Sequence, residues 1–225
     1  MPAPPPDLNA DLTREARRLF RRYALEVVEA LGFCPWAEAA RKRGEVREDV
    51  RVEATLDPAR DAAWVREIAA ASRIVVGVLL FPRVGLAESD WHEYVRGVRE
   101  AYAKAPGPHG TEMAMVGFHP DAEGRLDAPQ TIVNFTRRCP DPTIQAIRLR
   151  TLETMRQKEG GGTQFFDPRT SDLAALLAAP PARPLHERVA EANVDTVRRL
   201  GVEEIVKRMD DIRRDRDATY RALGL

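Results

Sequence analysis

"RIVVGVLLFP", residues 73–82, reads as a strand with no polar face. A continuous apolar run of this length points to a central strand covered on both sides, as in a layered α/β fold. Working outward, "DPARDAAWVREIAAAS" (57–72) begins as a helix should, with Asp57 as N-cap and Pro58 at the first helical position. Before it, "VRVEATL" (50–56) reads as another strand. After it come a helix around 88–104, the turn "APGPHG", and a third strand, "EMAMVGF" (112–118). The polar loop "HPDAEGRLDAPQ" leads to "TIVNF" (131–135), a shorter fourth strand, and Asp141 and Pro142 open a helix to about Lys158.

This alternation predicts an α/β layered fold with a small mixed sheet of three to five strands flanked by helices, plus a C-terminal helical segment. Ferredoxin-like and doubly wound orders both fit. Upstream, Leu12, Ala16, Leu19, Phe20, Tyr23, Val27, Ala30 and Leu31 recur at spacings of three and four, one buried helical face ended by Gly32. Downstream, "GGG" (160–162) breaks the pattern. A short helix near 170–178, a joint "PPARP" (180–184) and two helices over about 185–222 follow. "VEEIVKRMDDIRRDRDATY" carries opposite charges at helical spacing, a salt-bridged face. The expected organisation is a Pro-rich leader over 1–10, a core domain over 11–160 and a helical extension over 161–225 packed on the core.

Lysine plus arginine and aspartate plus glutamate number 35 each in the 225 residues. That balance argues against nucleic acid as the main partner, because phosphate neutralisation usually leaves a basic excess. No run approaches the ~20 apolar residues of a membrane helix, and the N-terminus lacks the pattern of a secretory signal. Two cysteines are too few for a disulfide framework, so a cytoplasmic protein with reduced thiols is expected.

Nucleotide-loop, nucleophile-elbow, zincin and C-x-x-C motifs are all absent. Three polar corners remain: "LGFCPW" (31–36), "VGFHPD" (116–121) and "NFTRRCPDP" (134–142). His119 follows the third strand directly, where ligands gather in open α/β sheets; alternatively, it caps the strand and bonds backbone. Arg137 and Arg138 stand just before an expected helix N-terminus, a place for a carboxylate or phosphate. The opposing reading pairs one of them with Asp141 or Asp121. Electrostatics at that spot favours Cys139 over Cys34 as a thiolate. Cys34, His109, His119 and Cys139 have no metal-ligand spacing, and neither a metal nor a cofactor is expected.

"LGFCPWA", "GFHPD" and "NFTRRCPDPTIQAIRLR", in this order, resemble the family filed as domain of unknown function 1415. The resemblance spans roughly residues 20 to 156. Its pattern falls on Cys34, Pro35, His119, Pro120, Asn134, Arg138, Pro140, Pro142 and Arg148. Cys139 stands where the family usually has serine, and Gln145 where it usually has histidine. The resemblance therefore puts Cys34 ahead of Cys139.

Two expectations follow. In the first, a hydrolase or group transferase acts on an anionic metabolite, with Cys34 as nucleophile and His119 as general acid or base. Asn134, Arg137, Arg138 and Arg148 bind the anion. In the second, the same residues form a non-catalytic anion-binding or interaction module, and the C-terminal helices offer a surface for a homo-oligomer.

Overall fold

The computed structural model describes residues 7–34, 37–105, 112–124, 129–151 and 185–225. The expected Pro-rich start of the leader, the "GGG" break, the helix near 170–178 and the "PPARP" joint lie outside the described residues.

The apolar run at its centre forms β2 (Val76–Leu80), buried along its whole length. Its neighbours are β1 (Val46–Val50), β3 (Met113–Phe118) and β4 (Thr143–Arg148), in the order β1-β2-β4-β3. β1 and β2 are parallel, while β4 runs antiparallel to both β2 and β3. The mixed sheet is thus neither the all-antiparallel sheet of a ferredoxin-like fold nor an all-parallel doubly wound one.

The expected assignments of 131–135 and 143–148 are reversed. "PQTIVNF" is a helix, α5 (Pro129–Phe135), and "TIQAIR" is the inner strand β4. Pro129 starts α5 at a position where a missing N–H costs nothing, and Ile132 and Phe135 share its buried face. Pro142 precedes the strand and does not open a helix; its carbonyl accepts the N–H of Phe81 at 3.0 Å. Thr143, Ile144 and Ile147 suit a pleated, half-buried surface. Asp141 fails as an N-cap because its carboxylate is taken by the far end of the chain.

β1 also begins earlier than expected. "VREDV" alternates, with Val46, Glu48 and Val50 on one side and Arg47 and Asp49 on the other, where Asp49 accepts from Trp64 Nε1 at 2.8 Å. A short helix, α2 (Ala37–Lys42), occupies part of the stretch that reads as merely polar.

One face of the sheet is covered by α3 (Pro58–Ala70) and α4 (Glu88–Lys104). Asp57 caps α3 as its sequence predicts, accepting from Ala59 N at 2.9 Å. Ile68, Trp64, Trp91 and Val95 pack on Leu79, Met115 and Ile144. The approach is close: a Cβ on Gly77 would lie 2.9 Å from the Trp64 ring.

The other face carries α1 (Leu8–Tyr23), α5, α6 (Leu185–Leu200) and α7 (Val202–Ala222). Asp7 caps α1, and Leu12, Ala16, Leu19, Phe20 and Tyr23 form the expected buried stripe. Past Tyr23 the helix widens into a π-turn, Ala24–Glu29, in which Ala30 N bonds Leu25 O and Phe33 N bonds Val28 O. The five-residue spacing of these bonds adds a residue to the turn. The charged stripe of α7 faces α1, where Arg18 and Arg22 hold Asp215 at 2.7 and 2.6 Å. Among the described residues, no helix is long and apolar enough to cross a membrane.

Candidate functional site

β3 ends at Phe118, and the chain turns sharply over "HPDA". His119 is 3% exposed, and both ring nitrogens are engaged with backbone. Nδ1 accepts the N–H of Asp121 at 3.2 Å, so the proton sits on Nε2, which donates to Leu86 O at 3.0 Å. The ring is a neutral fastener between two loops. In this arrangement it has no lone pair to offer a substrate.

The 134–142 segment leaves α5 and feeds β4. With no helix following it, the expected helix N-terminus behind Arg137 and Arg138 does not exist. Asp141 is 1% exposed and receives Arg216 Nε at 2.8 Å and Tyr220 Oη at 2.6 Å, both from α7. Burial raises its pKa against the opposing pull of those partners. Asp121 pairs with Arg213 of the same helix at 2.9 Å. Both acids expected to pair with Arg137 or Arg138 are thus held by α7.

Arg138 donates from Nε to Ala122 O at 2.8 Å and lies over the Phe135 ring at 4.9 Å. The crevice beside it measures about 50 Å³, room for a water or two. Cys139 is 1% exposed in the same place, and its thiol donates to Asp141 O at 2.7 Å. Burial pushes its pKa up to about 12. The thiolate expected at Cys139 in an electropositive spot is therefore replaced by a neutral, inaccessible thiol. Asn134 is half-buried on α5, and its carbonyl accepts Arg137 N at 3.0 Å.

Arg148 serves the opposite face of the sheet. Its guanidinium donates to the carbonyls of Ile68, Ala69, Ala71 and Ile74 at 3.1 to 3.3 Å and pairs with Glu112 at 3.0 Å. Carbonyls at the end of a helix otherwise have no intrahelical donor, so Arg148 is the C-terminal cap of α3. The structure does not bring it near the other candidates.

What the structure does bring together is Cys34 and Arg137. Both line a cavity of about 220 Å³ between the sheet and the α1 layer. The sheet supplies the floor, while Tyr23, Phe33, Val133 and Asn193 stand among its walls and roof. The turn "LGFC" (31–34) leaves the π-turn and delivers Cys34, half-buried, to the edge of this space. Tyr23, also in the lining, donates from its hydroxyl to Thr136 O.

Arg137 makes no ion pair with a described residue, and burial pulls its pKa below the ordinary value. Its guanidinium carbon sits 5.9 Å from the Phe118 ring centre. The two carboxylates in the lining have cations of their own: Glu48 pairs with Arg21 at 2.8 Å and Glu29 with Arg41 at 2.7 Å. Gln145 and Asn193 also line the cavity without a side-chain hydrogen bond to any described residue, although Asn193 is only 2% exposed.

Neither Gln145 nor Asn193 is among the site residues expected from the sequence. Each carried a signal. Gln145 alternates with Thr143 and Ile147 on one side of a strand, and Asn193 interrupts the helical stripe Ala190, Val194, Val197. Among the described residues, no group of three or more His, Cys, Asp or Glu side chains is placed to hold a metal ion.

The family model described as "Protein of unknown function (DUF1415)" matches residues 15–161. No curated protein and no solved structure matches the chain. The family match covers more than half of the sequence, in agreement with the motif resemblance, and the chain belongs to this family.

Proposed function

We propose that the protein binds a small organic anion in the cavity between the sheet and the α1 layer. The observation that carries this reading is Arg137: a guanidinium in a mostly apolar cavity, with no ion pair to a described residue. Burying a cation without a counter-ion is costly, and a bound carboxylate or phosphate would supply the missing charge with bidentate geometry. Gln145 and Asn193 are available to further polar atoms of the ligand. Few convergent polar groups in an apolar hollow are the usual make-up of a small-molecule site.

The test is thermal unfolding of the full chain with a panel of small carboxylates and phosphates. A ligand at a hundredfold its Kd stabilises by about 2.7 kcal/mol. The expected result is an upward shift in Tm with at least one anion, lost in Arg137→Gln. Absence of any shift in the folded wild-type chain would refute it.

Hydrolysis or group transfer through Cys34 is a second reading, favoured by the thiol lining the same cavity. With the His119 ring spent on backbone, the proton would leave through another group. This reading expects turnover of small anionic esters or thioesters that Cys34→Ser abolishes. If Cys34→Ser leaves the rate unchanged, the thiol is only part of the wall.

A further inference from the structure

The cavity runs across the sheet. Val46 of β1, Val78 of β2, Ile147 of β4 and Phe118 of β3 all contribute to its floor. With neighbouring strands about 4.8 Å apart, that floor is about 14 Å long. Its two ends differ in charge. At the β3 end, Arg137 lies beside Phe118 with no ion pair to a described residue. Toward the β1 end, Glu48 and Glu29 are already held by Arg21 and Arg41. A second anionic group there would meet carboxylates.

Size narrows the ligand further. A cavity of about 150 Å³ holds benzene, so the roughly 220 Å³ here accommodates about nine heavy atoms. An extended chain advances about 1.2 Å per bond. Nine atoms in line therefore reach about 10 Å between end atoms and, with their outer surfaces, nearly fill the floor. Volume and length agree on the same slender shape.

We infer that the ligand is a monocarboxylate with an apolar chain of about six to eight carbons, its head at Arg137 and its tail over β2 toward β1. This rests on the anion-binding reading above and adds chain length, single charge and direction to it. Phosphorylated sugars and dicarboxylates fit it poorly, because most of the lining is aliphatic or aromatic.

The experiment is calorimetric titration of the full chain with straight-chain monocarboxylates from two to fourteen carbons, with 1-octylamine, 1-octanol and inorganic phosphate alongside. The expected result is an affinity optimum at six to eight carbons, at least tenfold tighter than acetate or the fourteen-carbon acid. Arg137→Gln weakens octanoate at least tenfold, whereas Arg137→Lys retains part of the binding. Val78→Phe, which shortens the floor, moves the optimum to shorter chains; circular dichroism confirms that each variant is folded. If acetate or phosphate binds as tightly as octanoate, the chain-length inference falls and the anion reading stands. If octylamine or octanol matches octanoate, or nothing binds the folded wild type, the anion reading falls with it.

Discussion

The two faces of one sheet are finished in opposite ways. Beneath α3 and α4 the packing is so close that glycines are needed: a Cβ at Gly77 would stand 2.9 Å from Trp64 and 3.0 Å from Ile68, and one at Gly117 would stand 3.1 Å from Trp91. Beneath α1, the next residue of the same strand, Val78, looks into a hollow of about 220 Å³. Protein interiors are close-packed, and empty volume lowers stability. A fold that packs tightly on one side has the means to do so on the other. The contrast separates a closely packed face from one that keeps a hollow, and even the arginines of the motif region divide along it. Arg148 caps a helix on the closed face, and Arg137 lines the hollow on the other.

Mutations that treat the faces alike test this division. The largest expected effect is from Arg148→Ala, which strips the end of α3 of its charged donor and leaves Glu112 without its cation. A loss of about 3 kcal/mol in urea unfolding is expected, with ligand binding unchanged. Gly77→Ala should cost about 2 kcal/mol by overpacking against Trp64. Arg137→Met should go the other way, raising stability by about 1 kcal/mol, because a buried charge with no ion pair to a described residue is replaced by apolar volume. The same substitution should abolish anion binding. Val78→Ile, one position from Gly77, should change stability by less than about 0.5 kcal/mol, because the added methyl enters open space. Equal losses at positions 77 and 78 would break the comparison.

The thiols give the smallest effect and the finest test. Cys139 has its pKa pushed up to about 12 by burial, so at pH 8 almost none of it is thiolate. In the folded protein, alkylation should label Cys34 alone, and Cys139 should react only at denaturant concentrations that open the structure. Raising the pH toward 12 increases its thiolate share, but without access the rate stays low.

Much of this was legible in the sequence. β2 announced itself through its unbroken apolar run, and α3 through Asp57 and Pro58. The reversal of α5 and β4 hung on Asp141, which carries a cap residue's chemistry but is claimed by Arg216 and Tyr220, 75 and 79 positions away. No local pattern reveals a partner at that distance. The candidate site divides for the same reason. Cys34 and Arg137 reach the cavity, whereas His119 and Arg138 are bound to backbone atoms that adjoin them only after folding. Asn193 lies on a helix that the motif region never touches in sequence, and its polarity within an apolar stripe was the one available clue.

The π-turn at Ala24–Glu29 carries a consequence for how the chain can vary. Each residue of an α-helix advances about 100° around the axis, and a five-residue bond absorbs one extra residue without ending the helix. Removing a single residue from this turn would restore ordinary winding and rotate everything beyond it by about that angle relative to α1. Phe33 and Cys34 would swing away from the hollow while every other residue kept its identity. Chain length at one turn, more than side-chain chemistry, selects which residues look inward, and a one-residue deletion here would act like a gear slipping one tooth.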